Sequence, residues 1–246
     1  MSNDYIQFCD TLLFDWSKKS IILEDGYGFD LSGLPEPYLK FGKKGSNVCF
    51  LTTNPGGVMN FQKREYEFSK AGELYSDLSV RLAKYYKDNL TGAAKTRILK
   101  MKELSTALVP ESDGFVQFEI SPFHSTNFPV NKKEKFSKNI LNGENSIHAD
   151  YTSLLTSSLK HKSCICIQAG YPKLERLDQN WLSLISKILS VKKEDWKLVE
   201  FKFSKGVATT GVFYYKEDNF FKAILFNSSG NNIPKIDSMT KLLENL

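Results

Sequence analysis

The 246-residue sequence is short of the features that staple, anchor or metallate a chain. It has four cysteines and no C-x-x-C pair, which weighs against a zinc site or an iron–sulfur cluster. Cys49 sits in the apolar run VCFL. Cys164 and Cys166 sit in CICI, where a strand would point both the same way, so they read as core thiols of a reducing compartment. No apolar run approaches the ~20 residues that a membrane span needs. The N-terminus MSNDYIQFCDTLLFDW carries Asp4, Asp10 and Asp15 and lacks the basic start and apolar centre of a signal peptide, so a cytoplasmic protein is expected. There is no internal repeat, low-complexity tract or dividing linker. One domain over residues 1–246 is therefore expected, long enough to bury a core unaided. The phosphate cradle G-x-x-x-x-G-K-S/T and any acidic metal cluster are also missing, which argues against a nucleotide hydrolase.

What the sequence does have is the patterning of a globular α/β chain. Hydrophobic residues make up 41% and aromatics 13%, while 33 basic and 28 acidic side chains leave a formal charge of +5. So mild an excess permits a polyanionic partner without requiring one. Tyr5, Cys9, Leu12 and Trp16, with Ile6 and Leu13 beside them, predict a helix over 3–18 capped by Asn3 or Asp4. A turn-rich stretch follows through Gly26, Gly28, Gly33, Pro35 and Pro37. Short apolar runs predict six strands, at 47–52, 115–120, 164–168, 197–203, 211–215 and 222–226, the last two joined by a hairpin around 216–219. Helical spacing recurs at 70–89, 95–106, 150–160, 178–190 and 236–246, and the longest segment without a pattern is 121–148. This alternation predicts a three-layer α/β/α sandwich with a largely parallel central sheet, whose sites lie beyond the carboxyl ends of the strands.

Three segments follow such ends. In TTNPGG (52–57), Pro55 constrains a turn while Gly56 and Gly57 let backbone amides approach a ligand; alone it also reads as an ordinary turn. FEISPFHS (118–125) sets Glu119 at a strand end and His124 five residues on, a pair that reads equally as an ion-pair partner and a structural histidine. FNSSGNN (226–232) is a small-polar loop, or a turn before the last helix. NKKEKFSKN (131–139) places Lys132, Lys133, Lys135 and Lys138 around Phe136 and by itself reads as a solvated lysine loop.

Together and in this order the segments resemble the uracil-DNA glycosylase superfamily, most closely its mismatch-specific uracil/thymine branch and that branch's uncharacterised relatives. LPEPYLKFGKKGSNVCFLTTNPGG (34–57) resembles the entry segment, FEISPFHS the E-x-x-P-Y/F-H-S segment, and NSSGNN the N-P-S-G-L-S loop. CICIQAGYPK (164–173) stands where the superfamily has a strand ending in a small-residue turn, and the likeness spans about residues 34–232. It implies a monomer that acts on DNA without metal or cofactor, extrudes a nucleotide at a cost of a few kcal/mol, and breaks the N-glycosidic bond toward an oxocarbenium-like sugar and a base anion. Asn54 would place the water beneath C1′. Asn227, with Ser228, Ser229 and Gly230, would donate to the base O2 and a phosphate. His124 would donate to the leaving base, bond a phosphate, or brace its loop. Pro55 and Phe123 would line the base pocket. Ser125, Lys132, Lys133 and Lys135 would meet the DNA backbone, with Phe136 available for insertion.

Two positions bear on the base. In uracil-specific members a tyrosine at the position of Gly56 blocks substituents on C5, and glycine leaves that side open. Glu119 falls at or beside an asparagine that bonds the N3 and O4 edge. An ionised carboxylate only accepts hydrogen bonds, so it suits the N4 amino group of cytosine and repels O4; alternatively Glu119 supports His124 or a backbone amide. The expected activity is removal of a modified pyrimidine, a 5-substituted cytosine above others, for instance in defence against viral DNA. The departures are Thr52 where a glycine is usual, Ser228 for proline, Asn231 for leucine, and Asn54 where the fastest members carry aspartate. They imply the slower mismatch-type chemistry. Two rivals stand beside this reading: a repair glycosylase for uracil or mismatched thymine, and a catalytically inactive DNA-binding module of the same fold.

Overall fold

Helix α1 (Asn3–Ser17) forms because Tyr5, Cys9, Leu12 and Leu13 fall on one face, and all four are buried. Its cap lies one residue earlier than expected. Ser2 has extended backbone and its hydroxyl accepts from the Tyr5 amide at 3.3 Å, which leaves Asn3 and Asp4 inside the first turn. The computed structural model describes residues 1–23, 27–42, 48–53, 73–111, 114–125, 130–143, 146–160, 164–168, 179–201, 210–217 and 220–226.

The strands are β1 (Tyr38–Phe41), β2 (Val48–Thr52), β3 (Phe115–Glu119), β4 (Cys164–Gln168), β5 (Lys197–Phe201), β6 (Thr210–Glu217) and β7 (Phe220–Phe226). They form one sheet in the order β1-β3-β2-β4-β7-β6-β5. The four central strands β3-β2-β4-β7 pair in parallel, and the flanks β1 with β3, β6 with β7 and β5 with β6 pair antiparallel. The chain is therefore an α/β protein built on a mixed sheet, parallel at its centre. The expected hairpin is present in the pairing of Lys216 with Phe221 and Glu217 with Phe220. Strand β1 was not expected. It docks against β3 where Gly114 lets the chains close: a Cβ there would stand 2.1 Å from the carbonyl oxygen of Phe41.

The helices are α2 (Tyr75–Asn89), α3 (Gly92–Leu108), α4 (Val130–Leu141), α5 (Ile147–Leu159) and α6 (Gln179–Leu189), with a 3-10 turn at Lys193–Asp195. Helix α4 corrects the expectation of a structureless stretch over 121–148. Lys133, Phe136, Ser137 and Ile140 make one helical face and all are buried, but two of the four are polar, so hydrophobicity alone does not reveal it. The closing helix expected at 236–246 lies outside the described residues.

Every residue of β2 and β3 is buried, as expected of strands covered on both faces. Side-chain alternation sets Cys49, Leu51, Val116 and Phe118 on one face and Phe50, Thr52, Phe115, Gln117 and Glu119 on the other. The first face meets aromatic side chains of α1, α2 and α5. Tyr5 packs on Phe118, Tyr38 and Tyr151, and Tyr75 packs on Tyr38, at centroid separations of 5.1–5.9 Å. Helix α3 packs against β2 and β3.

Candidate functional site at the carboxyl ends of the parallel strands

Because β3, β2, β4 and β7 run in parallel, their carboxyl ends share one rim. The rim carries Glu119, Thr52, Gln168 and Phe226 in that order along it, and Thr52 and Phe226 stand two strand spacings apart, roughly 10 Å. Beyond the strands, the Ile120 amide donates to the Thr52 carbonyl at 2.7 Å and the Ser121 amide to the Thr53 carbonyl at 3.0 Å. The root of the N-P-G-G loop is thereby fixed beside the start of S-P-F-H-S. Asn54, Pro55 and Gly56, like Asn227, Ser228, Ser229 and Gly230, lie outside the described residues.

Glu119 is 2% exposed. One carboxylate oxygen accepts from the Thr52 hydroxyl at 2.5 Å and the other from the Gln117 amide at 2.6 Å. Burial raises its pKa to about 7 against the opposing pull of Thr52, Arg97 and Gln117. The alternative role as a support for His124 is not the arrangement found. The His124 ring lies 2.8 Å from the Leu34 carbonyl and 3.7 Å from a carboxylate oxygen of Glu36. His124 is fully buried and its carbonyl accepts from the Asp30 amide at 2.8 Å. That is the bracing arrangement, with the ring tying residues 30–36 to the loop after β3.

The Pro-Glu-Pro segment is strapped to the same place. The Glu36 amide donates to the Pro122 carbonyl at 2.8 Å, its carboxylate accepts from the Tyr86 hydroxyl at 2.6 Å, and the Glu119 amide donates to the Pro37 carbonyl at 3.2 Å. Beneath them the Tyr151 hydroxyl meets the Glu119 carbonyl at 2.6 Å, while the Tyr5 hydroxyl donates to the Pro37 carbonyl at 3.2 Å. Burial raises both phenol pKa values well above normal, so each hydroxyl keeps its proton. Tyr151→Phe leaves a buried carbonyl at the base of the site without its donor. It is expected to lower the unfolding free energy by about 1–3 kcal/mol, read by urea denaturation with an unchanged slope.

Several expected contact residues are packed inside. Phe123, expected in the base pocket, is 1% exposed and sits against Phe29 and His148. Phe136, expected as an exposed wedge, is fully buried against Tyr27, Phe29 and His148. Ser125 is 4% exposed. Lys133, expected at the DNA backbone, is 6% exposed with Nζ 5.9 Å from the Trp181 ring centre, and burial lowers its pKa to about 8. Lys133 and Phe136 belong to the α4 face that closes the core, and Phe123 and Ser125 to the buried loop after β3, which is the physical reason they leave the surface. Lys135 is exposed, with Nζ 5.9 Å from the Tyr27 ring centre, and Lys132 occupies a position in the first turn of α4.

Sequence reasoning passed over Gln117, Arg97 and His148. Gln117 had a signal, since a glutamine and a glutamate two apart in FVQFE must share a face of a strand otherwise apolar. His148 opens α5 inside the cage of Tyr27, Phe29, Phe123 and Phe136, with Nε2 3.4 Å from the Ser121 hydroxyl. Burial lowers its pKa to about 3. Between that value and about 6.5 the unfolded chain takes up a proton that the native ring refuses, so stability falls as pH drops through this window. His148→Phe is expected to flatten that acid limb, read as Tm at pH 4.5 relative to pH 7.

Among the described residues no group of three or more His, Cys, Asp or Glu is placed to hold a metal ion, and no helix is long and apolar enough to cross a membrane. No family model matches the chain, and no curated protein and no solved structure matches it.

Proposed function

We propose that the protein is a DNA glycosylase with the three-layer fold of the uracil-DNA glycosylase superfamily, acting as a monomer without metal or cofactor. It hydrolyses the N-glycosidic bond of an extruded 5-substituted cytosine, leaves an abasic site, and serves in the cytoplasm against foreign DNA that carries such bases. The observation that carries this reading is Glu119: a buried carboxyl at the end of a central strand, beside the root of the Asn54 loop, fixed through both oxygens. A base edge presented there meets an acceptor at C4, which matches the N4 amino group of cytosine.

The same group favours a second reading. With a pKa of about 7, the carboxyl is protonated in a large fraction of molecules at neutral pH and then also donates, so the O4 of uracil or of mismatched thymine becomes acceptable.

Labelled oligonucleotides bearing uracil, a G·T mismatch, cytosine, 5-hydroxymethylcytosine or its glucosylated form separate the readings by alkali-labile abasic sites, with Asn54→Ala beside the wild type. Cleavage confined to the cytosine derivatives is the expected result. Cleavage of uracil would keep the glycosylase and overturn the specificity. No cleavage, with tight DNA binding, would identify an inactive binding module.

A further inference from the structure

Three side chains of β2 and β3 close a ring at the rim. Thr52 and Glu119 are register partners, and Gln117 stands two residues before Glu119 on the same face of its strand. The Thr52 hydroxyl donates to one Glu119 oxygen at 2.5 Å, the Gln117 amide donates to the other at 2.6 Å, and the same amide nitrogen lies 3.4 Å from the Thr52 oxygen. All three are buried. Both donors come from the sheet, one to each oxygen, and together they fix the plane of the carboxyl. An ionised carboxylate has about four lone-pair sites, and among the described residues the ring fills one on each oxygen. The Thr52 proton has a second acceptor in reach, the Phe118 carbonyl at 3.3 Å, so the hydroxyl can turn from the carboxyl without losing a partner. Among the described residues, the charged groups acting on Glu119 are Arg97 in the second turn of α3, which favours its ionised form, and Glu36 before β1, which opposes it. Tyr151 of α5 donates to its backbone carbonyl and stays neutral. Burial raises the carboxyl to about 7, and of the influences that oppose burial the Thr52 bond is the largest, followed by Arg97 and Gln117.

We propose that Thr52 and Gln117 are positioning residues for base reading: by occupying one lone pair on each oxygen they fix the Glu119 carboxyl so that its remaining pairs meet the C4 edge of the extruded base, and Thr52 keeps it in the form that accepts. This rests on the glycosylase reading above. A hydrogen bond donated to a carboxylate favours the charged form. When Glu119 takes up a proton, the Thr52 hydroxyl turns to the Phe118 carbonyl and the carboxyl gains a donor. The ring thereby sets the pH at which the group read at C4 changes from an amino group to a carbonyl oxygen. Removing the Thr52 hydroxyl moves that pH upward without altering the carboxyl that meets the base.

The test follows two quantities across neutral pH in the same proteins. One is the carboxyl carbon resonance of Glu119 in glutamate-labelled protein, identified by its absence from Glu119→Gln; the other is kcat/KM for an oligonucleotide bearing 5-hydroxymethylcytosine. In the wild type both are expected to share a midpoint of about 7, with activity rising as the carboxyl ionises. Thr52→Val keeps the volume and removes the hydroxyl. Both midpoints are expected to move up together by about one pH unit or more, as the loss of one bond to a charged group implies. Activity at pH 7 then falls roughly fivefold and much of it returns at higher pH. Thr52→Ser, which restores the donor, is expected to bring both midpoints back to within about half a unit of the wild type. Gln117→Met carries the same test independently of position 52, with a smaller upward move. A carboxyl that titrates unchanged in Thr52→Val, a cleavage midpoint that stays while the carboxyl moves, activity lost equally at every pH, or a Thr52→Ser that behaves as the valine variant would overturn the proposal and leave the glycosylase standing. If the wild type cleaves nothing, the midpoint is read in its affinity for the same oligonucleotide. Affinity that follows the carboxyl in every variant would keep the positioning role in a base reader and remove the glycosylase; affinity flat with pH would overturn both.

Discussion

Glu119→Gln is expected to lower kcat/KM for a 5-substituted cytosine by about tenfold or more, while activity on uracil relative to cytosine rises. On the proposed reading, the carboxylate that would accept from N4 becomes an amide whose NH2 would donate to O4, and a donor facing a donor leaves both buried groups unsatisfied. The wild type carries a further signature. Its carboxyl titrates at about 7, so discrimination for cytosine over uracil is expected to strengthen as pH rises through that value and the group loses the proton it would lend to O4. In Glu119→Gln the ratio should be flat with pH. A variant with unchanged activity and an unchanged pH profile would remove Glu119 from base reading.

The same substitution has an opposite effect on stability. Between about 4.5 and 7 the native carboxyl holds a proton that the unfolded chain has shed, so the wild type loses stability as pH rises through that window. The full shift corresponds to roughly 3 kcal/mol above pH 7, and the neutral amide escapes it. Thr52 can still donate to the amide oxygen, and Gln117 can turn its own oxygen toward the new NH2. Glu119→Gln is therefore expected to gain up to about 3 kcal/mol at pH 8 and little at pH 4.5, as measured by denaturant unfolding at both. A catalytic loss paired with a stability gain is the sign of a charge kept for function. His148 slopes the other way over part of the same range, so a wild-type pH profile alone understates both groups.

How far the sequence carries the site follows from which signals are local. The central strands VCFLT, FVQFE and CICIQ are legible because short apolar runs bounded by polar turns have few other solutions. Tyr38–Phe41 was not, since a four-residue edge strand after Pro-Glu-Pro is defined by its partner β3, some eighty positions on, and by the clearance at Gly114. Glu119 stands out in its strand, and its burial gives that position its meaning; Thr52, noted only as a departure from glycine, proves to be its donor. Lys133 and Phe136 mislead for the same reason that α4 was missed. Helix geometry turns them toward Trp181 and the aromatic cage, where a lysine-rich string reads as surface. Arg97 left no trace, because Lys95, Lys100 and Lys102 share its helix and only tertiary packing encloses its Nε.

Asn54 divides an enzyme from a binding module. It follows Thr53, whose carbonyl is pinned by Ser121, so its loop leaves the sheet from a fixed point beside Glu119. If its side-chain oxygen places the attacking water, Asn54→Ala is expected to lower the single-turnover cleavage rate by about a hundredfold or more, within the range for a positioned group in a transition state. DNA affinity should stay within about threefold, because on the proposed reading phosphate and base contacts made elsewhere would supply it. Asn54→Asp tests the same role in the other direction. A carboxylate accepts the proton that an amide cannot, so this variant is expected to cleave faster than the wild type, with a rate that rises with pH through the carboxylate range. Both changes would then act on the chemical step and neither on binding, a combination that a non-catalytic module cannot produce. Equal, unmeasurable cleavage in all three proteins with equal affinity would leave Glu119 as part of a reader of bases rather than of an enzyme that removes them.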